Sequence, residues 1–439
     1  MSSAKPPVAV IGAGIAGLAA ADLLLREGVP VVVLEARSRI GGRIDTRYDF
    51  AASPIELGAE FVHGRHPGLV DYIREAGLHL DERPFEPLMV QDGKAISQPQ
   101  SWEKVFEELA NPDARDVPIG RRIGELLSSG EWSEAEARRL RRYVEGYMAA
   151  DVDRVSALAL SQETRASREL GDDGNASVRE GYDALVRHLG RSLGNDDAKL
   201  MLGTAVTRIA WQQGSVVLDV EPAAGLVRAC RAIVTVPLGF LQGSGEGAIV
   251  FEPAIPAVRT AARKLAMGNV VKLFLRFRMP LDEIAGIEKE LSKRLVRARF
   301  LQTPAGHVPT WWRIGDEHKP ILVGWAGGAS ADRLSGKSQQ EMIDAGIDTL
   351  SHALALPHDD VASAVEAAAV VDWSADPWSR GAYSWIPAGA LDAAPLLATP
   401  VGSTLFFAGE ATDTSGYRGT VHGALDTGIR AARQVLDSF

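Results

Sequence analysis

The stretch "PVAVIGAGIAGLAAADLLLREGVPVVVLEA", residues 7–36, decides the fold. Four apolar residues, Val8 to Ile11, lead into a glycine-rich turn. An alanine- and leucine-rich run then extends to about Glu27, Gly28 stops it, and Val31 to Leu34 form a second apolar run. Two short apolar runs around a helical stretch predict a β-α-β unit with a parallel pair of strands, since parallel strands need a crossover between them. The turn Gly12-Ala13-Gly14-Ile15-Ala16-Gly17 is a G-x-G-x-x-G that follows a strand and opens a helix, the context that gives the pattern its meaning. Gly12 allows the tight turn, Gly14 leaves room for a pyrophosphate against the backbone, and Gly17 lets helix pack on strand. The helix start, at Ile15 and Ala16, offers free N–H groups and a positive dipole end to phosphates. Glu35 closes the second strand, where an acid can accept the ribose hydroxyls. A glutamate there repels a 2′-phosphate, which favours an unphosphorylated ADP moiety, as in NAD or FAD. In "EARSRIGGRIDT", Ala36 and Arg37 lead to Gly41-Gly42-Arg43, two glycines for close approach and an arginine that can neutralise a pyrophosphate.

Working outward, 439 residues are too many for one compact core, so two domains are expected. Hydrophobic residues make up 46% and charged residues 24%, an ordinary globular balance. The net charge of −10 argues against nucleic-acid binding, which needs a concentrated basic surface. The one cysteine, Cys230, excludes an intramolecular disulfide and a cysteine-rich metal site, and fits a reducing compartment. "MSSAKPP" lacks the charged-then-apolar layout of a secretory leader, and no apolar run is long enough to span a bilayer. A cytoplasmic protein without membrane or nucleic-acid partners is expected.

Residues 98–170 read mostly as helix, 200–242 as short strands and turns including "AIVTVPLGFL", and 249–330 as strands around a charged helical insert at 281–297. A helix is predicted over 336–356, strands over 366–386, and strand, loop and helix over 404–439. The two textures alternate, so the domains are expected to be built from discontinuous segments.

One strand poses a question. In "AMGNVVKLFLRF", Ala266 to Phe277, alternation puts Val271, Leu273, Leu275 and Phe277 on one face and Val270, Lys272, Phe274 and Arg276 on the other. By itself the second face reads as half-solvated, with Lys272 lying along the sheet and its head in water.

Four stretches together answer it: the first unit through Arg43; "IELGAEFVHG", 55–64; "MGNVVKLFLRF", 267–277; and "FFAGEATDTSGYRGTVHGALDTGIRAA", 406–432. In this order they resemble the flavin amine oxidase family, which includes monoamine, polyamine and spermine oxidases and the flavin-dependent histone lysine demethylases. Weaker echoes at "AVTRI" (205–209), "AIVTVPLGFL" (232–241) and "DPWSRGAYSWIPAG" (376–389) extend the likeness over nearly the whole chain, closest to polyamine-oxidase-like members. The resemblance implies an α/β, two-domain flavoprotein. Its Rossmann-like FAD-binding domain, with a parallel sheet, would comprise 1–84, 177–243 and 396–439. A mixed-sheet and helical substrate domain would comprise 85–176 and 244–395, the two interleaved in sequence.

The resemblance further implies roles. Gly58, Ala59 and Glu60 would lie against the cofactor; the Val206 backbone would meet the adenine, with its side chain in the core; Gly409 and Glu410 would stand near the pyrophosphate and ribityl chain. Thr420 and Val421 would open the last helix, whose N-terminus favours negative charge at the flavin N1/C2 carbonyl. Lys272 would look toward flavin N5 through a water, which reverses the wet-face reading. Tyr383 would be one aromatic wall of the amine slot and Trp378 would pack near the ring. The opposite wall, a tyrosine in monoamine oxidases, corresponds here to Thr420, which argues against a strict monoamine-oxidase cage. His63 matches a histidine of animal polyamine and spermine oxidases, with Glu60 a nearby acid. Phe61 stands where L-amino acid oxidases carry an arginine, which disfavours amino acids; Arg65 could substitute only by a shift. Asp172 and Asp173 are candidates for a distal ammonium. Four residues, Lys272, Tyr383, Thr420 and His63, are the candidate catalytic set.

The implied reaction takes an amine and O2 to an imine and hydrogen peroxide, with hydrolysis of the imine to an aldehyde and an amine. The alternatives are an oxidase of monoamines or L-amino acids on the same scaffold, and a flavin-binding protein without turnover. A monomer or homodimer is expected. The helical tower and extra N-terminal domain of the demethylases do not fit in this length, so a chromatin role is not expected.

Monoamine oxidases carry a flavin-linking cysteine at the residue before the cage tyrosine, whereas this chain has Ala382 before Tyr383. The cofactor is therefore expected to be noncovalent: acid precipitation should release all yellow colour to the supernatant, and colour retained in the pellet would contradict this.

Overall fold

The computed structural model describes residues 6–83, 87–96, 102–171, 175–194, 197–222, 225–243, 247–315 and 320–439. Strand β1 (Val8–Ile11), helix α1 (Ile15–Arg26) and strand β2 (Val31–Leu34) form the expected unit, with β1 and β2 parallel and in register from Val8 opposite Val31 to Ile11 opposite Leu34. The sheet they found has five strands, in the order Ala198–Met201, β2, β1, Arg231–Val234 and Leu405–Phe407, and every pairing is parallel. Its strands come from widely separated parts of the chain. Its two faces are both covered, as all-apolar strands require. Val8, Val10, Val31 and Val33 face α1 and its helical neighbours. Ala9, Ile11, Val32 and Leu34 face a core shared with Ile209, Val216 and Leu218 of a separate four-stranded sheet. Details depart from expectation: Pro256–Lys264, within the segment read as strands, is helical, and in "AIVTVPLGFL" the strand ends at Val234 and Leu238–Gln242 is helical. Pro237 lacks the N–H needed to continue a ladder, and it begins the turn into that helix.

The second region is built on a seven-stranded sheet. The short strand β3 (Phe61–His63) lies beside it and pairs with Asn175–Val178. Helix α2 (Glu134–Gly146) opens with a capping box of Ser133 and Glu136, and α3 (Ala157–Glu169) with a Ser156 cap. Strand β4 (Val270–Phe277) runs antiparallel between Val365–Asp372 and β5 (Pro320–Gly327). Val271, Leu273, Leu275 and Phe277 enter one core with Trp311 and the helix Gln339–Leu354, including Met342, Ile347 and Leu350. Phe274, on the opposite face, enters another with Phe50, Phe300, Trp312 and Val323.

The chain returns to the first region through Leu405–Phe407 and helix α4 (Val421–Leu436). α4 lies on α1 at backbone contact: a Cβ on Gly428 would overlap the Ala16 carbonyl oxygen. The α/β, two-domain architecture is that of a parallel nucleotide-type sheet joined to a mixed sheet with helices. Among the described residues no helix is long and apolar enough to cross a membrane.

Candidate active site

The glycine turn has the steric demands its spacing implies. Gly12 has φ +107°, and a Cβ there would sit 2.6 Å from the Thr235 hydroxyl. A Cβ on Gly17 would overlap the Gly12 carbonyl oxygen, whereas nothing stands within 4 Å of that position at Gly14. Gly14 is itself the N-cap of α1, so no side chain caps that helix start, and its first turn has no acid. Gly41 donates its N–H to the Ala13 carbonyl at 2.8 Å and so brings Gly42 and Arg43 beside the turn. Glu35 is buried and fixes this corner: one carboxylate oxygen accepts from Ala13 N–H at 2.7 Å, the other from Arg37 N–H at 2.9 Å. Arg37 in turn forks onto Asp376 at 3.0 and 2.5 Å, with Ser379 at 2.9 Å. A cleft beside the turn is lined by Arg43, Pro237, Leu238, Gly409, Glu410 and Thr412.

Glu410 joins this cleft to the second region. It accepts from Arg43 at 3.0 Å, from the Ser384 hydroxyl at 2.7 Å and from Gly419 N–H at 3.2 Å. Burial disfavours its charge, but Arg43, Ser384 and Arg418 outweigh this and hold the carboxyl below its ordinary range. Arg43 also donates to the Ala382 carbonyl at 2.6 Å. Thr420 caps α4: its hydroxyl accepts from Gly423 N–H at 3.0 Å and donates to the Tyr417 carbonyl at 2.7 Å, and Val421 begins the helix. Two helix N-termini without acids, an open glycine backbone and an arginine make a donor set suited to an anionic dinucleotide. The residues present therefore fit an FAD pyrophosphate and pyrimidine edge.

Lys272 is 1% exposed, which excludes the solvent-facing reading. Its ammonium donates to the Glu56 carbonyl at 2.6 Å, the Gly58 carbonyl at 3.2 Å and the Glu60 carboxylate at 3.0 Å, three acceptors for three N–H bonds. It also lies 5.4 Å from the Trp312 ring centroid and 5.5 Å from that of Phe274. Gly58 makes the close approach possible, because a Cβ there would overlap the Arg43 carbonyl oxygen. Glu60, expected to reach cofactor or substrate, is instead buried, with one oxygen on Lys272 and the other accepting from the Trp312 indole at 2.9 Å. Its charge balances the buried ammonium. Ala59 donates its N–H to the Arg43 carbonyl. Burial raises the Glu56 carboxyl to about 8, against the opposing bonds from Tyr182 N–H and Thr46.

Trp325, directly across from Lys272 in the ladder, shares its face of the sheet. It stands 6.1 Å from Trp312, and Phe61 stands 5.5 Å from Trp312 on the other side. His63, at the end of β3, meets Tyr147 edge-on at 5.9 Å, with the tyrosine hydroxyl 3.3 Å from Nδ1. Tyr383 pairs with Gly268 just ahead of β4, packs against Gly419, and donates its hydroxyl to the Tyr147 carbonyl at 2.5 Å. Burial raises the Tyr383 phenol. Lys272, Phe61, His63 and Tyr383 thus lie around one aromatic region.

Other candidates fall elsewhere. Trp378 is 37% exposed and stacks on Phe240, which also carries the Arg380 guanidinium, so the structure places it in a surface stack. The Val206 side chain is core in the four-stranded sheet, which leaves its backbone as the part expected to meet the adenine. Arg65 is exposed and paired with Glu82. Asp172 and Asp173 lie outside the described residues. Residue-pattern reasoning missed Trp312, Trp325 and Tyr147. Trp325 could have been found, since an aromatic on a strand ladder opposite a buried lysine must share its face; Tyr147 lies at the end of a helix that reads as a charged outer face.

Residues 15–436 match the family described as flavin containing amine oxidoreductase. Polyamine oxidase 2 of Arabidopsis thaliana is 30% identical over 98% of this chain and 88% of its own length. Two similar solved structures each cover 99% of both chains. Putrescine oxidase bound to putrescine has a TM-score of 0.78 at 22% identity. Cyclohexylamine oxidase from Brevibacterium oxydans IH-35A has a TM-score of 0.79 at 23% identity.

The pairing of Lys272 with Glu60 makes a prediction about stability. Lys272→Met strands a buried carboxylate and should cost about 3–5 kcal/mol, and adding Glu60→Gln should recover part of that loss. Denaturant midpoints measure both. An unchanged midpoint for Lys272→Met, or a further loss in the double variant, would contradict the pairing.

Proposed function

The chain belongs to the flavin-containing amine oxidoreductase family, and we propose that within it this protein oxidises a polyamine-like amine, with FAD held noncovalently and O2 as acceptor. The observation that carries the reading is the closed-in Lys272 on one sheet face with Trp325 and Trp312, next to Phe61, His63 and Tyr383. FAD, when bound, takes up the hydride equivalent lost from the carbon beside the substrate nitrogen and passes the electrons to oxygen.

The chain's own residues have four tasks. Gly12, Gly14 and Gly17, the start of α1 and Arg43 hold the anionic pyrophosphate, with Glu35 shaping the turn. Glu410 ties that cleft to Ser384 and Gly419, so cofactor cleft and amine wall are set together. The Thr420-capped start of α4 supplies positive potential toward the reacting edge, and Lys272, its charge balanced by Glu60, offers ammonium N–H groups there. Any further partner of the ammonium displaces one of its three acceptors, of which Gly58, at 3.2 Å, is the longest. Tyr383, Phe61 and Trp325 exclude water, which keeps the amine neutral as the reaction requires. Water outside this enclosure hydrolyses the imine to an aldehyde and an amine, and the reduced oxygen leaves as hydrogen peroxide.

The substrate class rests on three supports. Relatives spanning nearly the whole chain are named polyamine oxidases. The Thr420 side chain is tied into its helix cap, so that side of the slot lacks a tyrosine wall. Phe61 packs on Trp312 and Phe300, and Arg65 is paired at the surface, so neither of these two positions offers an arginine to grip an amino-acid carboxylate. The single cysteine suits a cytoplasmic location.

A peroxide-coupled assay against spermine, spermidine, putrescine, benzylamine and L-leucine tests the reading. Turnover should be fastest with spermine or spermidine, with one peroxide per aldehyde. Fastest turnover of L-leucine or benzylamine would favour the other oxidase readings, and no turnover with any amine would favour a flavin-binding protein.

A further inference from the structure

We propose that Tyr147 forms the outer wall of the amine slot and, with His63, selects substrates whose aminoalkyl chain extends beyond the reacting carbon. This inference rests on the polyamine reading above.

Tyr147 is the C-cap of α2, and the end of that helix is seated with unusual closeness. A Cβ on Gly327 would overlap the Gly146 carbonyl oxygen. One on Gly328 would lie 2.6 Å from the Glu145 carbonyl oxygen, and one on Gly268 would lie 2.6 Å from that of Ala149. Three glycines, Gly268 two residues ahead of β4 and Gly327 and Gly328 at and just past the end of β5, thus let the helix terminus come into backbone contact. The last carbonyls of a helix have no partners within it. Here the Trp325 indole donates to the Gly146 carbonyl at 2.8 Å and the Tyr383 hydroxyl to the Tyr147 carbonyl at 2.5 Å. Two aromatic walls of the slot are therefore hydrogen-bonded to the helix end that presents Tyr147.

The Tyr147 ring is held from two further sides. It stacks on Tyr143 at 5.1 Å and meets His63 edge-on. It nevertheless remains 43% exposed. A large aromatic fixed by a rigid seat and left exposed beside an active site is a ready contact for methylene groups, and its face attracts an ammonium. The negative end of the α2 dipole points the same way. This wall lies on a helix, apart from the Thr420 position where monoamine oxidases place theirs, so it can contact the part of the substrate that does not react.

The test uses the full-length, FAD-loaded protein, reduced with dithionite under nitrogen so that amines bind without turnover. Calorimetry gives Kd for spermidine and for butylamine in the wild type, Tyr147→Ala, Tyr147→Leu and Tyr147→Phe. The ratio of the spermidine to the butylamine Kd should rise about tenfold in the Ala and Leu variants and less than threefold in Tyr147→Phe, which keeps the ring. Tyr147→Leu preserves bulk, so the question stays answerable if the alanine variant loses flavin. A ratio within twofold of wild type in whichever of the two binds flavin overturns the proposal. Bleaching of the oxidised wild type by spermidine, run in parallel, separates the two readings. Without bleaching, the polyamine reading and this one fall together. With bleaching and an unchanged ratio, only the role of Tyr147 falls.

Discussion

An ammonium taken out of water must be repaid by acceptors and by a countercharge, or it is expelled or neutralised. Lys272 meets that constraint with two backbone carbonyls and the Glu60 carboxylate, and much of the surrounding structure follows from it. The segment 56–60 has to arch over β4 to deliver its carbonyls, and Gly58 is what permits that arch against Arg43. Glu60 then leaves an oxygen that the Trp312 indole satisfies, which anchors the next strand but one. The same alternation that sends Lys272 to this face sends Leu273 and Leu275 into the core under the helix Gln339–Leu354. A residue that could have been a solvated surface lysine is thus the centre of a polar knot between the two regions.

A second set of contacts crosses the same boundary on the cofactor side. Arg37 with Asp376, Arg43 with the Ala382 carbonyl, and Glu410 with Ser384 all join the first region to the segment 376–385 that carries Tyr383. Arg418 extends this set to α3 through its pair with Glu163, whose carboxyl burial raises to about 7. Charges alternate along the chain of contacts, acid beside base, so that each buried group is compensated. In this arrangement the position of Tyr383 depends on Arg43 and Glu410, so that loss of either disturbs the segment that carries it.

The elements that could be read from sequence are those whose physics is local. Gly12 and Gly17 are required by their own neighbours, and the alternation in β4 needs only the strand itself. The short apolar strands around α1 announce a sheet buried on both faces. What escaped the reading depends on residues far apart. Glu60 lies 212 residues from Lys272, and nothing in "GAEFVHG" says whether its acid faces substrate or a buried cation. Trp378 carries the same aromatic signal as Tyr383 five residues later, yet Arg380 and Phe240 hold it at the surface. Tyr147 is hidden in a helix whose arginines and glutamates read as a solvated face, because only the glycines of other strands reveal how closely its end is seated.

The proposed role of Lys272, held in this knot, is at the reacting edge of the cofactor. Rapid mixing of FAD-loaded Lys272→Met with spermidine under nitrogen, followed by mixing of the reduced enzyme with oxygen, tests it directly. Full flavin content is expected, with either flavin reduction or reoxidation slowed by at least about tenfold, the scale of one lost electrostatic or proton-handling contact. Both rates equal to wild type would show that Lys272 serves the fold alone.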